Sequence, residues 1–335
     1  MANTTQKDFH FTLEAGATWG TAAWTAPTGL PTSDMPITME PSVHMFNRAR
    51  GLRGQHEADT WVDTEGKIPS ASLGVLMTPD LMEALMPGVL QAVTPWAADA
   101  NQWTLFTQLV DEIPTPATED DGYFYTLSRV SPEADKSVQM ASAIPSSVKL
   151  SIDPSANEGA LFGEFEFTGK GYSNTEDLDP DDVTQAALTY LYKWSAITDV
   201  DYGGTDLTGA FLKAEWNISN GAKLTQDNPN GEVAFPMWEV TVTISIMGGA
   251  AAEALKALIR SNTINAGAFL NLTFGAGTTT LGDAVISVFC YPTGESINFD
   301  DTEVVDFTFS GVFGDVEAGT PEYMLTLLFG DAAPA

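Results

Sequence analysis

The sequence predicts a mainly β chain made of two copies of one β-unit, each carrying a single short helix. Two observations carry this reading. Phe165-Glu166-Phe167-Thr168-Gly169 returns near the C-terminus as Phe307-Thr308-Phe309-Ser310-Gly311, and the order strand, helix, strands occurs twice along the chain. In both closing segments apolar residues alternate with polar ones. Leu161, Phe165 and Phe167 stand against Glu164, Glu166 and Thr168, and Val305, Phe307 and Phe309 stand against Asp306, Thr308 and Ser310. A period of two places the aromatics on one face of a strand and the acids on the other. Upstream of each lies a further strand candidate, Val148 to Ile152 in the first copy and Ala284 to Cys290 in the second. Turn residues connect them, Asp153-Pro154 with Gly159 and Pro292 with Gly294.

Taken in order, residues 1–40 predict an extended arm rather than a regular strand or helix, because Pro27, Pro31 and Pro36 interrupt it and Pro41 closes it. Trp19 and Trp24 give the arm apolar anchors that need burial, on its own domain or on a neighbouring subunit. The stretch Val43 to Gly54 holds Arg48, Arg50 and Arg53, and an acidic run through Asp59, Asp63 and Glu65 follows. Its glycines and missing apolar period predict a long excursion between two strands. Ordinary connections run about 4–6 residues, and long ordered loops are usually functional. In so acidic a chain this basic cluster predicts contact with carboxylates of another copy, against the plainer reading of a loop paired locally.

Thr78 to Pro87 predicts a helix with Thr78 as cap, Pro79 in the first turn, Asp80 against the dipole and Pro87 as its end. Ala250 to Ser261 is its counterpart, with Leu255, Leu258 and Ile259 as the apolar stripe and Lys256 and Arg260 near the carbonyl end. Trp238 to Ile246 alternates ahead of it. Trp103 to Val110 and Gly122 to Val130 predict a strand pair, mirrored by Phe269 to Phe274 with Ala284 to Cys290. The acidic run Glu176 to Asp182 opens a linker over 176–195. Val183 to Trp194 fits a helix capped by Asp179 or a strand through Tyr190-Leu191-Tyr192, and pattern leaves both open. Leu212, Ala214, Trp216 and Ile218 alternate with Lys213, Glu215 and Asn217 as the first strand of the second half. The predicted division is therefore an arm over 1–40, β-domains over 41–175 and 196–335, and the acidic linker between them.

A length of 335 residues suits two domains that bury cores without disulfides or metals. No apolar run approaches the roughly 18 residues of a membrane span. The polar N-terminus leads into no signal core, which predicts folding in the compartment of synthesis. Cys290, the single cysteine, reads as a small buried hydrophobe within a strand. The formal charge is −31, with 45 acids against 14 bases and no Lys or Arg after Arg260. Such a surface repels phosphate backbones and argues against ordinary nucleic-acid recognition. Two readings of the charge stay open: an adaptation for solubility or salt, and a surface that lies near nucleic acid without holding it.

The chemistry of known sites is missing from the pattern. His10, His44 and His56 have no zinc spacing, and no serine nucleophile elbow occurs. Gly163 to Gly171 has the wrong spacing for a phosphate-binding loop. Asp177, Asp179 and Asp181 resemble a calcium loop, but Val183 and Leu188 stand where its turn and bidentate acid belong. The expectation is no catalytic residue, no metal and no cofactor.

Four features together resemble the tail tube (major tail) proteins of long-tailed bacteriophages. They are the opening Leu13-Glu14-Ala15-Gly16-Ala17-Thr18-Trp19-Gly20-Thr21, the long loop with Arg48, Arg50, Gly51, Arg53 and Gly54, one short helix per β-domain, and the closing Phe-x-Phe-[Thr/Ser]-Gly strands. The resemblance covers most of the chain in a duplicated-domain form. It implies two tandem β-sandwich or roll units, each flanked by a helix, assembling into stacked rings whose inner strands form a continuous β-barrel around a channel for DNA. Such channels are typically acidic in the family, which would explain the charge. Two units per chain imply three chains, and six similar units, per ring. On this reading Arg48, Arg50 and Arg53 make inter-ring contacts, and Glu164, Glu166, Asp306 and Thr308 are the channel-lining candidates. The implied partners are other copies and other tail proteins. DNA passes without specific binding, and the place is the virion tail, assembled in the host cytoplasm. A soluble acidic β-sandwich binding module, for example for carbohydrate with Trp and Tyr platforms, is the alternative from another class.

Overall fold

The structure is a computed structural model that describes residues 10–16, 21–32, 34–50, 55–90, 96–99, 102–106, 124–133, 135–185, 190–224, 233–234, 238–260, 267–275, 282–299, 303–312 and 324–330. The chain is mainly β, with two α-helices among the described residues. The first part holds β1 (His10–Ala15), β2 (Thr28–Gly29), β3 (Ile37–Arg50), β4 (Gln55–Leu76), α1 (Pro79–Leu90), β5 (Trp96–Asp99), β6 (Gln102–Phe106), β7 (Tyr125–Val130), β8 (Ser137–Ile152), β9 (Phe162–Thr168), β10 (Gly171–Glu176) and β11 (Thr184–Gln185). Then come β12 (Ile197–Tyr202), β13 (Thr205–Asp206), β14 (Phe211–Ser219), β15 (Lys223–Leu224), β16 (Val233–Ala234), β17 (Glu239–Met247), α2 (Ala250–Arg260), β18 (Ala268–Phe274), β19 (Ala284–Phe299), β20 (Glu303–Gly311) and β21 (Leu325–Gly330). All the strands except the β15–β16 pair belong to one large mixed sheet, which among the described residues is not closed into a barrel.

The pairing pattern repeats. β3–β4, β4–β9, β9–β8, β8–β7, β7–β1 and β8–β10 are matched by β14–β17, β17–β20, β20–β19, β19–β18, β18–β12 and β19–β21, all antiparallel. The match extends to single residues. Phe167 lies between Ala71 and Pro145, and Phe309 lies between Val242 and Pro292. Directly after each proline the register slips, between Pro145 and Ser147 and between Pro292 and Gly294. A proline has no N–H to give a ladder, so a bulge is where it is tolerated. Each helix begins three residues beyond the last paired residue of the preceding strand, Pro79 after Leu76 and Ala250 after Met247. The two sets are joined by β8–β14 and by β21–β6, so the buried side chains of both form one connected core.

The structure corrects several expectations. The first forty residues are not strand-free: β1 pairs along β7 and buries Phe11 and Leu13. A short strand needs no long hydrophobic run when a neighbour supplies its ladder. The Arg-bearing excursion is mostly a long hairpin, β3 against β4, with Arg48 opposite Glu57 and Arg50 opposite Gln55. Arg53, like Trp19, lies outside the described residues. β6 does not pair with β7; it takes the edge of β21, where Leu105 faces Leu327. Among the described residues of the linker region there is neither a long helix nor a long strand. Asp179 caps one 3-10 turn by accepting the Asp181 N–H at 2.9 Å, and β11 then pairs with β2 in parallel. β12, and not the alternating stretch around Trp216, opens the second set of strands.

The first helix starts as expected, with the buried Thr78 Oγ1 accepting the Leu81 N–H at 3.2 Å. It does not stop at Pro87 but runs on to Leu90. A helical proline leaves a carbonyl unmet and pushes the turn open. The Tyr125 hydroxyl enters that opening, accepting the Gly88 N–H at 3.0 Å and donating to the Leu85 carbonyl at 3.3 Å. A side chain at Gly88 would collide with the Tyr125 ring. On α2, Leu258 is exposed whereas Lys256 is buried, its Nζ bridging Glu253 at 2.9 Å and Glu303 at 3.0 Å. These carboxylates raise the Lys256 pKa through their hydrogen bonds. Replacing Tyr125 with Phe leaves both backbone groups at the Pro87 opening without their hydroxyl. The expected loss is about 1–3 kcal/mol, read as a lower denaturant midpoint with an unchanged slope.

Candidate functional site

Eight strands run side by side in the order β3, β4, β9, β8, β14, β17, β20, β19. Burial alternates along β9 and β20 and along most of β14 and β17, interrupted at Leu212–Lys213 and at the buried Ser245, so this run has an apolar face and a polar one. The apolar face carries Leu73, Phe165, Phe167, Val148, Leu150, Trp216, Ile218, Val242, Ile244, Phe307 and Phe309 in register. The opposite face is the candidate site.

The four channel-lining candidates fall on that polar face together. Glu164 and Glu166 stand exposed on β9, and Asp306 and Thr308 stand partly exposed on β20, with β8, β14 and β17 between them. One row crosses from Glu164 to Lys149, Asn217, Thr241 and Ser310, and another from Glu166 to Ser147, Ser219 and Glu239. Residues not singled out from the sequence thus complete the face: Lys149, Lys213, Glu239 and a field of Ser, Thr and Asn. The alternation of Lys213, Glu215 and Asn217 was legible. That β8 lies beside β14 was not, because nothing local encodes it.

The acids on this face are held by neighbours. Glu166 accepts from Ser147 Oγ at 3.1 Å, and Asp306 accepts from Ser245 Oγ. Glu215 meets Lys149 Nζ at 3.0 Å and accepts from Asn217 Nδ2 at 3.1 Å. Burial pushes the Glu215 carboxyl up, but the hydrogen bonds from Lys149 and Asn217, with the charges of Lys149 and Lys213, leave it below its ordinary value. The Glu215 hydrogen bond raises Lys149 against its own partial burial, and Glu164 adds to the rise. Carboxylates outnumber ammonium groups across the face, whose remaining groups are mostly hydroxyls and amides. Shallow hollows open on it, one bordered by Lys149, Glu164, Lys213, Glu215 and Asp306, another by Glu166, Asn217, Glu239 and Thr241. A surface of this chemistry offers a phosphate backbone little to bind.

Elsewhere, burial pushes the Cys290 thiol up to about 12, far from a reactive thiolate. Among the described residues no group of three or more His, Cys, Asp or Glu is placed to hold a metal ion. Of the basic cluster, Arg48 and Arg50 lie in β3, far along the hairpin from the residues paired beside β9. No protein-family model matches the chain, and no curated protein matches it.

Lys149 and Glu215 are 41% and 39% exposed, which limits the pair to less than about 1 kcal/mol. The folded Glu215 pKa is lowered, so its share is present above the ordinary value of 4.5 and lost as pH falls through the folded value. Lys149 is raised, so its share is present below 10.5 and lost as pH rises through the folded value. Lys149→Met is therefore expected to raise the Glu215 midpoint in a carboxyl NMR titration. Its small stability deficit should appear near neutral pH and vanish at both extremes.

Proposed function

We propose that this chain is a structural subunit of a phage tail tube, built of two tandem β-sandwich or roll units and stacking as rings around a channel for DNA. The observation that carries the reading is the repeated strand pairing, down to the bulge after Pro145 and Pro292, which yields eight strands in one open run with an acidic, hollowed polar face. Eight strands closed on themselves make a barrel whose interior side chains fill, whereas barrels of about 16–18 strands leave an aqueous channel. A DNA channel therefore calls for several copies. Three copies supply six similar units, a trimeric pseudo-hexamer.

On this reading Glu164, Glu166, Asp306 and Thr308 face the channel, and the polar face lets a polyanion slide. Arg48 and Arg50 on the long hairpin, with Arg53, contact acids of the next ring, and other tail proteins join the tube. The protein belongs to the virion tail and assembles in the host cytoplasm. A carbohydrate-binding module is the weaker reading. It wants exposed aromatic platforms; among the described residues Trp216 and Trp238 are buried and Trp194 gives its indole N–H to the Leu212 carbonyl at 2.8 Å, while Tyr190 and Phe269 stand exposed singly, one between β11 and β12 and the other on β18.

Electron microscopy of the purified protein is expected to display rings or tubes with three chains per ring. Six chains per ring would overturn the stoichiometry and keep the tube, whereas dispersed small particles would overturn the function. Tubes carrying Glu164→Lys, Glu166→Lys and Asp306→Lys are expected to assemble and to retain DNA in sedimentation, with retention falling steeply as salt rises. Release of DNA from those tubes as from the parent would remove these residues from the channel.

A further inference from the structure

The eight-strand run ends in two edges, β3 at one end and the 293–299 part of β19 at the other, neither paired on its outer side among the described residues. The repeated register makes these edges the equivalents of the two strands that meet inside the chain. β3 corresponds to β14, with Ile37 in the place of Trp216 and Thr38 in the place of Asn217. β19 corresponds to β8, with Ile297 in the place of Leu150 and Ser296 in the place of Lys149. Inside the chain Leu150 lies opposite Trp216 and is 0% exposed; at the outer edge Ile297 is 37% exposed.

We infer that the β19 edge of one copy pairs antiparallel with the β3 edge of a second copy in the register of β8 on β14, setting Ile297 opposite Ile37 and Ser296 opposite Thr38. The prolines permit this. Pro36 lacks an N–H, but its carbonyl accepts from Ser72 on β4, so the missing donor is on the β4 side. The N–H and C=O of one strand residue point to the same side, and those of the next residue to the other. Ile37 therefore presents its donor and acceptor to the open edge. Ile37 and Ile297 form the hydrogen-bonded pair, and Thr38 with Ser296 form the closer, non-bonded pair at a Cα separation of about 4.5 Å. The contact joins unlike edges, so it propagates head to tail, and it gives a ring where the rotation between copies closes. Covering an unpaired edge with a second copy also removes its aggregation hazard.

This inference rests on the self-assembling reading above, and disulfide trapping separates the two. A non-bonded antiparallel pair lies within disulfide reach, and the native Cys290 is buried and silent. Full-length protein carrying Thr38→Cys and Ser296→Cys, oxidised after assembly, is expected to give covalent dimers and a closed species of one ring. Equal mixtures of the two single variants are expected to stop at dimers, and each single variant alone to give none. Moving one cysteine along the strand, as Thr38→Cys with Asn298→Cys, should cut the yield several-fold because diagonal neighbours stand about 7–8 Å apart. Ile297→Lys is expected to keep the thermal transition of the parent while losing rings. Rings that form without the Thr38–Ser296 link would overturn the register and leave the tube standing. Protein that forms neither rings nor links would overturn both.

Discussion

The fold depends on the pairing of β8 with β14. Through it, the two sets of strands become one run, with Val148, Leu150 and Ile152 opposite Ile218, Trp216 and Ala214 on the apolar side. Magnitudes identify what holds the junction. A fully buried Leu-sized side chain is worth about 1.5–3 kcal/mol and Trp216 more by area, whereas the exposed Lys149–Glu215 pair across the same strands is worth under about 1 kcal/mol. The apolar row supplies both the stability and the register. A slip of one residue would turn Trp216 to the polar face.

A second tie backs the first. β6 reaches across to extend the sheet at β21, and Asn220, wholly buried, donates from Nδ2 to the carbonyls of Val89 at 3.0 Å and Pro145 at 2.8 Å. These bonds clamp the end of β14 to the end of α1 and to the bulge in β8. The proline bulges matter for the same reason. β8 and β19 each span 16 residues and serve two sets of partners, β7 and β10 then β9 and β14 in one case, β18 and β21 then β20 in the other. A bulge bends a strand and raises its twist, which lets one strand leave one group of neighbours for another.

The two sets of strands that share this pairing pattern differ in detail. Lys149 and Glu215 form an ion pair within the chain, whereas the equivalent outer positions hold Ser296 and Pro36. An internal junction tolerates a partly covered ion pair because the covalent chain keeps the partners close. Uncharged residues at these positions would make an outer contact less sensitive to salt and pH. The β3–β4 hairpin runs well beyond the residues paired with β9, and among the described residues β14 and β17 continue into the short β15–β16 pair.

Much of this was legible in the one-dimensional pattern. The Phe-x-Phe echo located β9 and β20, alternation gave their buried and polar faces, and capping residues located the start of α1. Those signals are local, since a strand's two faces and a helix's first turn are decided by residues two to four apart. Residue type alone also made Cys290 a core hydrophobe and the surface acidic. The tertiary structure decided what lies beside what: β8 against β14, β6 against β21, β1 along β7, and Tyr125 in the Pro87 opening. Those contacts are made by backbone ladders and cavity shape between residues tens to hundreds of positions apart. Because every strand presents the same N–H and C=O groups, no side chain near Glu164 or Asp306 announces that the two acids share one face.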